Sequence, residues 1–232
     1  MRNFIILLLL VASSLQAQTN KTDLDLNVNV ASRYFWRGML LSKSPVVQPD
    51  VSLNINNFYL GAFGSYTFQD EPYQELDLYL GWANDYLDIS LTDYYTPSND
   101  PEQTDQYCNF RKGETGHTLD LIVTWSGSDK LPFYLTAATI IYGDDLDEKG
   151  NNYYSSYLEA GYSFTHNTVT IKPFIGITPH EGEYADEFNV VNTGIDFSKK
   201  ITLNEHIKTD ASLTLAVNPA SDKAFMIFSI GF

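Results

Sequence analysis

Residues 24–37 decide the fold, and they read Leu-Asp-Leu-Asn-Val-Asn-Val-Ala-Ser-Arg-Tyr-Phe-Trp-Arg. Apolar and polar side chains alternate along the first seven positions without exception. Because a β-strand points successive residues to opposite faces, this pattern predicts one apolar and one polar face. We expect the apolar face to continue with Tyr34 and Trp36, and the polar face with Arg33 and Arg37. The run exceeds the roughly 9–11 residues that a transmembrane strand needs.

The same alternation recurs along the rest of the chain. It predicts twelve strands, at 24–36, 46–56, 58–68, 73–83, 86–95, 116–125, 133–142, 152–164, 168–178, 188–197, 207–218 and 224–232. An even number of such segments is typical of bacterial outer-membrane barrels. We therefore predict an all-β protein, a transmembrane up-and-down antiparallel β-barrel of about 12 strands with a polar interior.

The connections between these strands alternate in length. Long ones are predicted at 37–45, 96–115, 143–151 and 179–187, and tight ones at 56–57, 84–85 and 166–167. Outer-membrane barrels show this asymmetry, with short periplasmic turns and long external loops. The segment 199–206 is an exception, because it is longer than a tight turn.

Aromatic residues on the apolar face lie near both ends of the predicted strands. Trp82, Trp125, Phe133, Phe164, Phe197 and Phe232 fall near the periplasmic ends, and Tyr34, Trp36, Tyr66, Phe68, Tyr95 and Tyr154 near the external ends. Two such girdles flank the apolar band of a membrane barrel. The alternative is a soluble β-sandwich in which these rings form the core.

The N-terminus has the layout of a secretory signal peptide. Arg2 precedes the apolar run 4–11, and small and polar residues follow up to Ala17. We predict a signal peptide at 1–17 and a single barrel at 18–232, located in the bacterial outer membrane. Removal of Arg2 changes the formal charge from −15 to −16, with 13 basic against 29 acidic residues, which argues against a nucleic-acid partner. The lone Cys108 permits no internal disulfide.

The residues on the polar face of the strands predict an acidic interior. Nine carboxylates face it (Asp25, Asp50, Glu75, Asp77, Asp88, Asp120, Glu159, Asp196 and Asp210), against the four cations Arg33, Arg37, Lys172 and Lys208. Rings of acidic groups favour cations in water-filled pores. We therefore expect a porin-like channel for passive diffusion of small solutes, weakly cation-selective. The alternative is a closed structural or recognition barrel that uses its acidic external loops.

Seven of these residues are the candidates for the lumen or its constriction: Arg33, Arg37, Asp50, Glu75, Asp77, Asp120 and Glu159. Arg33 and Asp50 lie on neighbouring predicted strands, so we expect them to pair. Both arginines lie towards the external mouth, where they either orient a dipolar solute or act as structural ion-pair partners.

Enzymatic and metal-binding functions find little support. A barrel lipase would need a serine beside an outward-facing histidine, yet the predicted neighbours of His117 are Asp93, Tyr95 and Ile141. No two histidines have ligand spacing, and the acidic loop 144–148 lacks the EF-hand pattern for Ca²⁺. We expect no catalytic residues, no metal and no cofactor.

Three segments resemble the TorF-like putative porins. They are the stretch Ser32-Arg-Tyr-Phe-Trp-Arg-Gly38, followed by Pro45-Val-Val-Gln48, and the stretch Asn57-Phe-Tyr-Leu-Gly-Ala-Phe-Gly-Ser65. The ending Asn218-Pro-Ala-Ser-Asp-Lys-Ala224 is also similar, and the last strand, closing on Phe232, resembles the signal read by the outer-membrane assembly machinery. The resemblance implies an outer-membrane porin in contact with lipid, but it supplies no substrate and no catalytic residue.

Overall fold

The computed structural model describes residues 22–68, 73–97, 106–128, 130–202, 204 and 208–232. The strands are β1 (Thr22–Ala31), β2 (Tyr34–Trp36), β3 (Met39–Ser42), β4 (Val46–Ile55), β5 (Phe58–Thr67), β6 (Gln74–Ala83), β7 (Leu87–Tyr95), β8 (His117–Ser128), β9 (Leu131–Gly143), β10 (Ser156–Tyr162), β11 (Phe164–His166), β12 (Val169–Thr178), β13 (Asn189–Thr202), β14 (Lys208–Asn218) and β15 (Lys223–Gly231). Among the described residues, no helix is long and apolar enough to cross a membrane.

The strands form one closed antiparallel barrel with 12 wall positions. Neighbours along the chain pair with each other, except that β1 pairs directly with β4, and β10 and β11 share one wall position beside β12. Closure comes from β1 and β15, where Val30 lies opposite Ile230. The predicted fold class is confirmed. A closed sheet leaves no long unpaired edge, so the backbone N–H and C=O groups of all its strands find hydrogen-bond partners within the barrel.

The two faces of the wall differ as the alternation predicts. Leu24 and Leu26 are 68% and 72% exposed on the outside, and leucines at alternate positions of β6 are exposed in the same way. Acidic residues between them, such as Asp77, point inward and are buried. The outer surface is therefore an aliphatic band, which is the condition for contact with hydrocarbon.

The opening stretch departs from the prediction after Ala31. The predicted strand 24–36 ends there, and the chain bends at 32–33 and enters the barrel as the hairpin β2–β3. Tyr34 is buried and Trp36 is largely enclosed inside the barrel, so the prediction that both join the outer aromatic girdle is wrong. The bend interrupts the two-residue period, and the hydrophobic rings then pack inside instead of outside.

Three other details differ from the prediction. Strand β13 runs on to Thr202, so the long connection predicted at 199–206 is largely strand. Strand β10 begins at Ser156, so the connection before it is longer than predicted. Tyr95 is buried under a loop, and so does not lie in the external girdle, whereas Tyr66 and Phe68 are exposed at that end. The predicted signal peptide lies outside the described residues.

Candidate functional site: the barrel interior

Two identical tripeptides build one side of the inner wall. Tyr59-Leu-Gly61 on β5 lies antiparallel to Tyr79-Leu-Gly81 on β6, so each tyrosine faces the glycine of the other strand. A Cβ on Gly61 would overlap the Tyr79 ring and lie 2.6 Å from the Val51 carbonyl oxygen. The rings therefore lie flat against the wall, which only glycine permits at these positions.

Each of these tyrosines reaches across the strand that carries the glycine and donates its hydroxyl to a carboxylate on the strand beyond it. The Tyr59 hydroxyl lies 2.7 Å from Asp88 Oδ1, and the Tyr79 hydroxyl lies 2.9 Å from Asp50 Oδ2. A phenol is neutral, so it satisfies a carboxylate without cancelling its charge.

The opposite wall repeats the arrangement around Glu159. Tyr134 donates to Oε1 at 2.8 Å, and Tyr157 donates to Oε2. Tyr134 lies against Gly161 and Tyr157 against Gly176, again where a Cβ would overlap the ring. Tyrosine hydroxyls thus hold the carboxylates of the candidates Asp50 and Glu159 in the interior.

A tight turn carries the hairpin into the interior. Arg37 and Gly38 have φ values of 45° and 86°, the left-handed conformation that both central residues of a type I′ turn adopt. Gly38 packs so closely on β13 that a Cβ would overlap the Val191 carbonyl. Its own carbonyl accepts a hydrogen bond from Asn218 Nδ2 at 3.0 Å. The backbone therefore requires glycine at position 38, whereas Arg37 adopts a left-handed conformation that residues with a side chain rarely take.

Arg37 anchors the tip of the hairpin on the far wall. Its Nη1 lies 2.7 Å from Asp120 Oδ2, and the side chains are 10% and 0% exposed. The contact is an ion pair whose angles do not meet those of a hydrogen bond. Neither Asp120 oxygen has a well-aligned hydrogen-bond donor among the described residues. Nη1 also donates to the Tyr184 hydroxyl at 2.7 Å, and the guanidinium lies 4.5 Å from the centre of the Trp36 ring.

The sides of the hairpin contact other parts of the wall. Tyr34 donates to Glu75 Oε1 at 2.6 Å, and Tyr73 donates to Glu75 Oε2. Phe35 packs on Phe225 with ring centres 5.0 Å apart. Through these contacts and those of Arg37, the hairpin reaches β6, β8, β13, β14 and β15. It therefore fills much of the interior at the end that carries the long loops.

Space remains on both sides of the hairpin. A cavity of about 200 Å³ lies beside it, bounded by Trp36, Met39, Tyr94, Glu75 and Glu183 among others. A second of about 520 Å³ lies at the end that carries the tight turns and is lined by Thr124, Thr136, Tyr134 and Lys172 among others. The interior thus has a polar space at one end, and the hairpin with a smaller cavity beside it at the other.

The loop 179–188 borders the cavity beside the hairpin through Glu183. Burial raises the pKa of Tyr184 to about 12. The nearby Arg37 guanidinium opposes this rise, and the negative charge of Asp120 adds to it. Glu183 is accessible to solvent, but its crowded surroundings remove part of its hydration, and Asp145 and Asp144 lie close by, so its pKa is raised above the usual range. The carboxyl group of Glu183, at the mouth, therefore titrates above its usual range.

The sequence-predicted site residues fall into three groups. Glu75, Asp77, Asp120 and Arg37 are brought together around the hairpin, Asp50 and Glu159 lie on opposite walls, and Arg33 is exposed at the bend. The expected pair of Arg33 with Asp50 is wrong, because Asp50 accepts the Tyr79 hydroxyl instead. Asp77 Oδ1 is buried without a hydrogen-bond partner among the described residues.

The interior tyrosines and Asn218 are not among the residues predicted from the sequence. The repeated Tyr-Leu-Gly tripeptide was the available signal for Tyr59 and Tyr79. No local signal marks Asn218, which contacts a residue 180 positions away. Within the described ranges, no group of three or more His, Cys, Asp and Glu side chains is arranged to hold a metal ion.

Comparisons with known proteins give one family and two solved structures. A family model described as "Bacterial protein of unknown function (Gcw_chp)" matches residues 16–227. No curated protein matches the sequence. A triple mutant of the Rh. blastica porin is similar at 11% identity and TM-score 0.40, covering 81% of this chain and 55% of the porin. This chain therefore spans about half the length of that porin. A double mutant of the same porin is similar at 8% identity and TM-score 0.35, covering 91% of this chain and 99% of that one.

Proposed function

This chain belongs to the Gcw_chp family of bacterial proteins of unknown function, and we propose that it is a porin-like outer-membrane channel for passive diffusion of small solutes. The aliphatic outer band and the polar interior of a closed barrel support this proposal. The resemblance to TorF-like putative porins points the same way. In this proposal the leader 1–17 directs export, and the last strand, ending at Phe232, is recognised by the outer-membrane assembly machinery.

We further propose that the channel is weakly cation-selective. The observation that carries this is the pairing of the interior carboxylates Asp50, Asp88 and Glu159 with neutral tyrosine hydroxyls. A carboxylate paired with a lysine or arginine contributes little to the field, whereas a hydrogen bond from a neutral phenol brings no opposite charge to offset it. In a narrow lumen with low-dielectric walls, such a field concentrates cations.

A closed barrel is the second candidate, because the hairpin β2–β3 contacts five strands of the wall. In this case the acidic external loops would serve recognition, and the hairpin would block passage. The two functions differ in whether a continuous water path passes the cavity beside Trp36.

Planar-bilayer recordings in a KCl gradient separate the two. We expect small, steady conductance steps and a reversal potential of the sign that K⁺ permeation produces. The variant Arg37→Gln, which loosens the hairpin, is recorded in parallel. Conductance in this variant but none in the parent protein would favour the closed barrel. Reversal towards the chloride potential would overturn the assignment of cation selectivity.

A further inference from the structure

The loop segment 106–116 does not project away from the mouth but lies on the outside of the barrel. His117, the first residue of β8, has the outward parity and faces Tyr95 on β7. It would be expected at the surface, yet it is completely buried. Phe110 of the loop covers it, with ring centres 4.1 Å apart and nearly parallel planes.

Polar contacts fix the loop to this outer wall. His117 Nε2 lies 2.6 Å from the Tyr107 carbonyl oxygen, which only accepts, so the imidazole donates there. His117 Nδ1 lies 2.9 Å from both oxygens of Asp93. Tyr142 donates its hydroxyl to the Phe110 carbonyl. A strand irregularity between Leu119 and Asp120 places Tyr142 opposite the outward residue Leu119.

The segment is also ordered internally. Asn109 accepts from the Arg111 backbone N–H at 3.1 Å and donates to the Glu114 carbonyl at 3.0 Å. The backbone N–H of Glu114 donates to the Arg111 carbonyl at 3.0 Å. The side chains at its surface are therefore presented on a defined platform.

This platform, residues 107–112, exposes rings and positive charge together. Tyr107 and Phe110 are 36% and 46% exposed. Arg111 is 82% exposed, with a partner only at 3.8 Å in Glu114, and Lys112 is exposed beside it. Arg111 and Lys112 form one of two adjacent pairs of cations in a chain with 14 basic and 29 acidic residues, and the other pair, Lys199-Lys200, lies near the C-terminal end of β13. Strand β8, which begins at His117 beneath the platform, exposes Leu121 and Trp125 on the outer face of the barrel.

We propose that this platform docks on phosphate-bearing lipid headgroups around the barrel. Aromatic side chains favour the headgroup level of a membrane, and each Lys or Arg beside an anionic surface adds to the attraction. Arg111 and Lys112 bind the phosphates, and Tyr107 and Phe110 enter the interface. His117 and Tyr142 are positioning residues that hold the loop in the membrane plane.

The native Cys108, exposed and adjacent to Tyr107, carries the probe for the test. An environment-sensitive fluorophore is attached to it, and the protein is reconstituted in phosphatidylcholine vesicles with or without phosphatidylglycerol. We expect a shift of emission to shorter wavelength that is larger with the anionic lipid. The double variant Arg111→Gln/Lys112→Gln lowers the ratio of docked to undocked loop on anionic vesicles about 30-fold, or about fivefold per charge.

The matched control is Lys43→Gln/Lys149→Gln, which removes two exposed lysines from other connections at the same end. It leaves the shift unchanged. Phe110→Ala removes the cover from His117 and abolishes the shift in both kinds of vesicle, while the heat-modifiable mobility of the barrel on gels is retained. Inorganic phosphate added to phosphatidylcholine vesicles does not reproduce the anionic shift.

Two outcomes overturn the proposal. If the probe reports water in both kinds of vesicle, the loop does not reach the interface. If the anionic shift persists in Arg111→Gln/Lys112→Gln, or if inorganic phosphate alone produces it, lipid phosphates are not what this platform recognises.

Discussion

The substitution Arg37→Gln should open the hairpin β2–β3 inside the barrel. The guanidinium is the positive partner of Asp120, whose side chain is completely buried. Removing one partner of a buried pair costs about 3–5 kcal/mol, because the other charge stays without compensation. The lost hydrogen bond to Tyr184 falls within this figure.

This free energy acts on the hairpin β2–β3 rather than on the whole barrel. The wall keeps its strand pairing, so the hairpin opens locally while the barrel remains folded. Since about 1.4 kcal/mol corresponds to a factor of ten, the open population rises by roughly 10²- to 4 × 10³-fold.

Thiol labelling measures the opening. In a Cys108→Ser background, Met39→Cys places a thiol on the inner hairpin beside the 200 Å³ cavity. A water-soluble thiol reagent should label it roughly 100-fold faster when Arg37→Gln is added. Channel conductance should rise in the same variant.

Two controls identify the cause. Arg33→Gln removes an exposed arginine at the base of the hairpin and leaves the labelling rate unchanged. Arg37→Gln/Asp120→Asn removes the stranded charge as well and restores slow labelling in large part. Equal labelling rates for Arg37→Gln and its parent would refute the anchoring role.

Three further predictions follow from the wall and the mouth. Gly61→Ala, which forces a Cβ into the Tyr79 ring, should destabilise the barrel by about 1–3 kcal/mol in urea-dependent unfolding. Gly64→Ala, with its nearest atom at 3.6 Å, should stay within about 0.5 kcal/mol and serves as the matched control. The raised pKa of Glu183 stabilises the mouth at acid pH and ceases to do so as pH rises through that pKa. Proteolysis of loop 179–188 should therefore accelerate as pH rises from the usual titration range of a glutamate through the raised pKa of Glu183. In Glu183→Gln, the rate of proteolysis should depend less on pH. Asp50→Asn should lower the K⁺-to-Cl⁻ permeability ratio measured from reversal potentials, and an unchanged ratio would count against its part in selectivity.

Alternation along single strands was enough to predict the barrel wall. In β6 the leucines and the acidic residues take opposite faces, and this holds wherever the chain stays extended, because side-chain direction in a strand has a strict period of two. The inward placement of Asp50, Glu75, Asp77, Asp120 and Glu159 follows from the same rule. The rule fails at Ser32 and Arg33, where the chain bends, because a period carries no information beyond the point at which it is interrupted.

The sequence by itself therefore determined the closed sheet, its apolar outside and its acidic inside, since these depend on neighbours within one strand. Only the tertiary structure decided that Arg37 meets Asp120, that tyrosines hold the interior carboxylates, and that the loop 106–116 covers His117 on the outer wall. Those contacts join residues on distant strands and loops. Their geometry depends on how the barrel closes, which no local pattern encodes.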